Sequence, residues 1–444
     1  MLTDNLKIKM NRLSRIFQPI NVIPKNVQVK SQDMTSKSQK LMLDLGIIRQ
    51  ANSGCFHYLP LGIRALEKLK NLIDQHMQSI GAQKVACPTL IHTNLWERSG
   101  RIQEATPELF QIKDRHDHLY ILSPTHEEAI TDLLTTVSPL SYKHFPLRLY
   151  QITSKYRDEM KPRFGLIRSR QFLMKDLYTF DVDLDAAKET YELICKCYNQ
   201  IFELVGVEFF KVLGSSGDIG GILSHEFHFQ TDIGEDKLIK CGNCGYMGNL
   251  ELCGSKDTCL KCGSTKINVF NGIEVGHTFL LGDKYSKPMK ATYLNNNGKP
   301  NILQMGCYGL GISRILAASL EKLSTDQELR WPIKLVPFKI LIIPPKFGSK
   351  EEKSSSISIE NLSKNLEDIA TLKNDVLIDD RVQMTIGRRF LEAKQVGYPF
   401  IVVLGQKIIE NPPLFELNNL IEGKQHFLTE NELISYLKQK CLER

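Results

Sequence analysis

The sequence predicts two folded domains, a larger one mixing helices with strands and a smaller α/β one at the C-terminus. Three observations carry this. From Leu61 to Ile80, the residues Ile63, Leu66, Leu69, Ile73, Met77 and Ile80 step by three and four, the period of an amphipathic helix. The stretch YRDEMKPRFGLIRSRQFLMKD, Tyr156 to Asp176, reads as two strands around a turn at Pro162 and Gly165. Beyond Trp331, Pro332 and Pro337, the apolar runs FKILII, DVLID and FIVVLG alternate with helical stretches, the pattern of a small α/β domain.

The elements follow in order. The chain of 444 residues begins with a basic segment: after Asp4 no acid occurs before Asp33, while Lys7, Lys9, Arg12, Arg15, Lys25 and Lys30 accumulate. Leu6, Met10, Leu13, Ile16 and Phe17 recur there at helical spacing. Residues 1–32 therefore read as a mitochondrial transit peptide or a disordered basic arm. After the helix Leu61–Ile80, KVACPTL is strand-like and stops at Pro88. A helix is expected over Thr125–Thr136, a strand over LRLYQITSKYR, and a long helix over LDAAKETYELICKCYNQIFELVG, ending at Gly206. Lys350–Ser358 is polar and reads as a surface loop.

With 42% hydrophobic and 24% charged residues, the composition is that of a soluble protein. No apolar run is long enough to cross a bilayer. The net charge of +7 suits a polyanionic partner without demanding one.

Two stretches carry chemistry. Tyr156–Asp176 collects six basic residues and three acids around a Phe-Gly pair. Side chains alternate along a strand, so Arg157 and Glu159 are expected to share a face. Arginine grips phosphate oxygens in pairs, and the Phe172 ring offers a base a stacking surface. A hairpin that holds a triphosphate explains the crowding, although a solvated basic loop explains it too. The second stretch, MGCYGLGISRILAASL, puts Gly306, Gly309 and Gly311 before a helix with Arg314 in its first turn. Its spacing is neither a dinucleotide fingerprint nor a phosphate loop. It is a strand end that lets a ligand approach the backbone beside an arginine.

Five cysteines crowd between Cys241 and Cys262. Cys241 and Cys244, then Cys259 and Cys262 after fourteen residues, have nearly zinc-ribbon spacing, each pair followed by glycine. Four thiolates leave no open position, so a structural zinc is expected, with Cys253 as an unneeded fifth thiol. SHEFHF offers His225, Glu226 and His228, but not at the helical spacing of a zinc hydrolase.

These residues carry a resemblance. A helix–strand unit ending at Pro88, an Arg-x-Glu hairpin with a later Phe, and a GLGxxR strand–helix resemble the three motifs of class II aminoacyl-tRNA synthetases. The strings SPTHEEAIT, RDEMKPRFGLIRSRQFLMKDLYTF, GIEVGHTFLLGDKYS and GCYGLGISR are similar to prolyl-tRNA synthetases of the bacterial and mitochondrial type. The likeness runs from about Gly46 to the C-terminus.

The resemblance implies an α+β class II catalytic domain over 33–334, an antiparallel sheet flanked by helices, with a zinc-ribbon-like insert at 238–268. It implies an α/β anticodon-binding domain over 335–444. The substrates would be L-proline, ATP with Mg²⁺, and tRNA(Pro). Arg157 would hold the α-phosphate, Glu159 the adenine side and Arg168 the outer phosphates. Phe172 and Arg314 would sandwich the adenine, with Gln304, Gly309 and Gly311 also against the nucleotide. Thr125 and Glu127 would take proline's cationic nitrogen, and His277 and Cys307 would line its pocket. Asp380, Arg381 and Arg388 become candidate anticodon readers. The resemblance further implies a C2 homodimer, and the basic N-terminus a mitochondrial matrix location, the alternative being cytoplasmic.

Gln171 stands where the family usually has Glu. Two rival readings are a sister synthetase for another amino acid and an inactive synthetase fold serving as an RNA-binding subunit. Thr125, Glu127 and His277 speak against the first, and the retained Arg157 and Arg314 against the second. Bacterial members of the family carry an editing domain between the hairpin and GLGxxR. Here only 95 residues separate Phe180 from Gly276, too few for a second hydrolytic domain.

Overall fold

A computed structural model describes residues 11–20, 34–102, 108–137, 140–253, 257–354 and 357–442. Among the described residues, the larger domain is built on a nine-stranded sheet. At its centre lie Ile267–Gly282, Gln304–Gly311, Gln171–Asp181 and Leu147–Tyr156, all antiparallel. The far flank adds Asp236–Cys241, Met247–Asn249, Phe209–Leu213 and Leu223–Gln230, and the last also pairs with Ile267–Gly282.

Leu184–Val205 and Ile312–Leu323 pack on this sheet, and Pro60–Ser79 packs on both of those helices. Leu69, Ile73, Ile194, Ile201, Ile315 and Leu316 meet in one core with no exposed surface. Each such side chain contributes roughly 1.5–3 kcal/mol by leaving water. Gly206 ends the long helix in the left-handed region, at φ 76°. The expected helices and hairpin strands are present. KVACPTL is not one strand: Gln83–Lys84 pairs with Leu149 and Tyr150, and pairing resumes at Leu90–His92. Pro88 has no N–H to give, and the Cys87 N–H goes instead to the Gln151 side chain at 2.9 Å.

The Cys-rich stretch is continuous with the sheet, because its flanks are the strands Asp236–Cys241 and Ile267–Gly282. Only the knuckles project.

The three C-terminal apolar runs are three parallel strands, Ile340–Ile343, Val376–Ile378 and Phe400–Val403. Phe415–Asn419 and Lys424–Leu428 extend the sheet antiparallel on one side. On the other side Asn11–Arg12 adds a strand parallel to Val376–Ile378. Of the basic segment 1–32, residues 1–10 and 21–32 lie outside the described residues. Residues 11–20 are packed: Leu13 is buried, Ser14 donates from N and Oγ to Asp380, and Gln18 reaches Leu45 O at 2.9 Å. The helical spacing expected there gives way to a strand and a short 3₁₀ turn at Leu13–Arg15, because the free edge of Val376–Ile378 offers pairing partners.

The domains meet at the helix Pro60–Ser79. Lys68 pairs with Asp375 at 2.6 Å, and the Arg64 guanidinium lies 4.1 Å over the Phe338 ring.

Candidate active site

Two cavities adjoin on the open face of the central strands. The first, about 240 Å³, is lined by Arg157, Glu159, Arg168, Phe172, Gly311 and Arg314 among others. The hairpin and the glycine-rich strand bring these together. Asp176 pairs with Gly309 and Met174 with Gly311, so Phe172, two residues beyond Met174, lies just past the end of the glycine-rich strand. Arg157 and Glu159 do not share a strand face as expected. The strand ends at Tyr156, and the Asp158 N–H turns away to Glu108 O at 2.9 Å. Both nevertheless reach the same cavity, Glu159 through a tight turn in which its N–H returns to Arg157 O.

The arginines are held differently. Arg157 lies 5.3 Å over the Phe172 ring. Burial, and next the charge of Arg314, draws its pKa below the usual guanidinium value. Arg314 donates from Nε to Ile167 O and from Nη1 to Glu274 O, both at 3.0 Å, which fixes its fork at the cavity wall. Arg168 is at the rim, paired with Glu159 at 2.8 Å and with Glu235. Gly309 would place a Cβ 3.7 Å from Met174 Sδ, ordinary contact, so its lack of a side chain matters less than expected.

Gln304 is a correction. It opens the strand that Gly311 closes, pairs with Asp181, and lines a separate cleft with Asp183 and Lys284. Seven residues of extended chain, roughly 23 Å, separate it from the first cavity. It cannot contact a nucleotide held there.

The second cavity, about 220 Å³, is lined by Trp96, Arg101, Thr125, Arg157, His277 and Phe279, with Ser215–Ile219 over them. His277 stacks on Phe279 at 3.9 Å and bonds Ser224 Oγ at 2.6 Å and Glu274 at 3.1 Å. Burial alone would raise the Glu274 pKa. The His277 bond, then the His277 and Arg314 charges, outweigh it and hold the carboxyl far below its ordinary range.

Glu127 and Cys307 lie behind this cavity rather than on its open wall. Thr125 Oγ1 is 2.7 Å from both Glu127 oxygens, and Cys307 Sγ is 3.0 Å from Oε1. Burial opposes ionisation of Glu127, but the Arg101 charge and the bonds from Cys307 and Thr125 keep its pKa low. Burial, and then the neighbouring Glu127, pushes the Cys307 thiol well up, so it is a neutral donor.

Beneath both cavities runs a buried polar layer. Lys155 Nζ bonds Asp176 at 2.8 Å and His126 Nδ1 at 2.6 Å, and the Tyr178 hydroxyl bonds Asp176 at 2.9 Å. Tyr178 OH also accepts the His126 N–H at 2.8 Å, which fixes the start of the helix Glu127–Thr136.

The four cysteines converge, with their sulfurs within 4.8 Å of one another. Cys241–Cys262 is 3.7 Å and Cys244–Cys259 is 3.6 Å. Asn243 and Lys261 each aim a backbone N–H at a sulfur from 3.4 Å.

The three C-terminal candidates separate. Arg388 is exposed, at 71%, with one long bond to Glu392. Asp380 is occupied by Ser14, and Arg381 is tied to Asp379 and Glu392 by short bonds. Both therefore meet intramolecular partners in this arrangement, whereas Arg388 points its charge to solvent.

Sequence reasoning missed Trp96, Arg101, Glu108, Glu274 and the Ser215–Ile219 segment. Glu108 lines both cavities, and Arg101 pairs with Glu127 and Glu128. The two-carboxylate pair Glu127-Glu128 was the available signal, since a buried pair of acids demands a cation.

Residues 110–323 match the family described as "tRNA synthetase class II core domain (G, H, P, S and T)", and residues 339–440 match "Anticodon binding domain". A human protein named "Probable proline--tRNA ligase, mitochondrial" is 46% identical over 429 residues, covering 96% of this chain and 90% of its own. A Schizosaccharomyces pombe protein of the same name is 38% identical, covering 86% and 89%. A "Proline--tRNA ligase" of Ehrlichia ruminantium is 36% identical, covering 96% and 100%. That alignment spans 443 residues, so this bacterial relative has no room for a domain-sized insertion either. The solved prolyl-tRNA synthetase of Cryptosporidium parvum, complexed with L-proline and AMP, shares the fold. Its TM-score is 0.72 at 18% identity, over 91% of this chain and 77% of that one. With its class II core, its anticodon-binding domain and relatives matched over nearly their whole length, the chain belongs to the proline–tRNA ligase family.

Proposed function

We infer that this chain activates L-proline with ATP and transfers the prolyl group to tRNA(Pro). One observation carries the reading: Arg157 lines both cavities and stands where they meet. A carboxylate in the second cavity and an α-phosphate in the first would join at that guanidinium.

The chemistry needs no protein nucleophile. A proline carboxylate oxygen attacks the α-phosphorus, the bond to the bridging oxygen breaks, and pyrophosphate leaves. Positioning and charge stabilisation do the work. Arg157 neutralises the α-phosphate and Arg168 the outer phosphates, releasing Glu159 and Glu235 as it swings inward. Phe172 and Arg314 flank the adenine, Glu159 takes its polar edge, and Gly309 and Gly311 keep the strand close. Thr125 and, behind it, Glu127 receive the ammonium, with His277 on the pyrrolidine wall and Cys307 supporting it from behind. A terminal hydroxyl of the tRNA then attacks the prolyl carbonyl, and AMP departs.

The carboxylates of Glu159, Glu235, Asp236 and Glu274 line the nucleotide cavity and are hard oxygen donors that fit Mg²⁺. Bound with ATP, Mg²⁺ would neutralise charge on the pyrophosphate.

Zinc on Cys241, Cys244, Cys259 and Cys262 completes the reading. A tetrahedron with Zn–S near 2.3 Å has edges of about 3.8 Å, close to the two sulfur separations observed. Its role would be structural. The C-terminal domain, from 335, would dock the anticodon stem, with exposed Arg388 available to a phosphate. We also propose a homodimer, on the resemblance of the helix Pro60–Ser79 to the class II dimerisation motif. That helix buries Leu66, Leu69, Ile73 and Met77 in its own core but leaves Ile63 of the same apolar series exposed, so a second copy would meet outward residues such as Ile63. The mitochondrial names of relatives and the basic N-terminus support the mitochondrial matrix.

Arg157→Ala tests the reading. It should cut proline-dependent pyrophosphate exchange by roughly 100-fold or more with the fold intact. Near-normal exchange would overturn it.

A further inference from the structure

Glu127 and Glu128 are consecutive, open the helix Glu127–Thr136, and are both completely buried. Two adjacent carboxylates out of water cannot both stay ionised without a cation. Arg101 supplies it. Its Nη1 lies 3.3 Å from Glu127 Oε2 and 3.1 Å from Glu128 Oε1, and its side chain is 6% exposed. The guanidinium is clamped between rings, 4.5 Å from the Trp96 centroid and 5.6 Å from that of Tyr285. Ser99 Oγ adds a 2.8 Å bond to Glu128 and none to Glu127. The sequence builds this locally. Gly100, at φ 81°, ends the helix Thr93–Ser99, and the Arg101 N–H returns to Trp96 O, so the arginine turns inward.

We propose that Arg101 is a positioning residue of the amino-acid subsite: it cancels one charge of the Glu127–Glu128 pair and leaves one net negative charge for the substrate's ammonium. This rests on the reading that Glu127 receives that ammonium. Arg101 reaches both carboxylates, slightly nearer Glu128, and Glu127 has Thr125 and Cys307 as further donors beside its contact to Arg101. An incoming secondary ammonium can take over that contact. Without Arg101, the pair would hold a shared proton and lose the defined anion.

The test measures KM for proline and for ATP, with kcat, in pyrophosphate exchange by the full chain. Arg101→Met should raise proline KM roughly 30-fold or more while ATP KM stays within about twofold. Arg101→Lys should recover most of the loss. Arg101→Met combined with Glu128→Gln restores one net charge and should bring proline KM back to within roughly tenfold of the parent. Glu128→Gln alone leaves the subsite neutral and should itself weaken proline use, which keeps the test decisive where Arg101→Met fails to fold. An unchanged proline KM in Arg101→Met or Glu128→Gln, equal rises for both substrates, or a double variant no better than Arg101→Met would overturn the proposal. Glu127→Gln separates the two levels. If it alone damages proline use while Arg101→Met does not, only the role of Arg101 falls; if it has no effect, the site reading falls and this inference with it.

Discussion

The thiol of Cys307 donates to Glu127 Oε1 across 3.0 Å, joining the glycine-rich strand to the start of a helix 180 residues away in sequence. Thr125 holds the same carboxylate from the other side, so Glu127 is oriented before any ligand arrives. Glu127→Gln keeps the shape and removes the charge. A hydrogen bond to a charged group is worth about 1.5–3 kcal/mol, so proline KM should rise roughly 10- to 100-fold. ATP KM should stay flat. A rise in ATP KM with proline KM unmoved would place the amino acid elsewhere.

Metal content is the second expectation. Freshly prepared, reduced protein should hold about one zinc per chain, read by elemental analysis. Cys241→Ser should lose it and melt at lower temperature. Metal-free protein with full stability would remove zinc from the account.

The third expectation concerns pH. Burial, and then the Lys155 charge, pushes His126 down to about 4. Its Nδ1 accepts from Lys155 and its Nε2 lies 3.0 Å from Pro88 O, the pattern of a neutral ring. The unfolded chain binds that proton at roughly pH 6.5, so the unfolded state gains protons first as pH falls. Stability from this group is complete above about pH 7 and is lost as pH falls towards 4, by up to about 3 kcal/mol. Denaturant unfolding at pH 7 and pH 5 should show the fall, and His126→Gln should flatten it. An identical slope in the variant would contradict this assignment.

The fourth expectation follows from chain length. The residues between Phe180 and Gly276 carry the helix Leu184–Val205, four short strands of the main sheet and the cysteine knuckles. A pocket that fits a pyrrolidine ring admits the smaller alanine, at a discrimination of only roughly 10- to 200-fold. Alanine should therefore be activated slowly, and purified alanyl-tRNA(Pro) should persist with the enzyme present. Deacylation well above the uncatalysed rate would reveal a hydrolytic site.

Much of this was legible where local pattern decides structure. Leu66, Leu69 and Ile73 announce a helix by period alone, and Arg157, Phe172 and Arg314 sit in motifs whose strands bring their ends together. What failed depended on distance along an element or on tertiary partners. Gln304 shares a strand with Gly311, but extended chain carries it to the opposite end. Strand alternation puts Glu159 on the face of Arg157, but the Asp158 N–H leaves the ladder for Glu108. Leu13 and Ser14 read as part of a leader, yet an open sheet edge and Asp380 give them partners far along the chain. FELNN and KQHFL are too polar to stand out; FELNN pairs because Phe400–Val403 presents a free edge, and KQHFL pairs on FELNN in turn. Arg98 and Arg101 stand three residues apart in sequence with nothing to tell them apart, and only the fold sets Arg101 against Glu127 and Glu128 while Arg98 goes to Asp132.

The central claim is tested most directly by ATP–pyrophosphate exchange with the purified chain and each amino acid in turn. Proline should support rapid exchange, alanine a slow residual rate, and the others background. Exchange driven best by another amino acid would contradict the assignment of the pocket, and no exchange with any would contradict the enzyme itself.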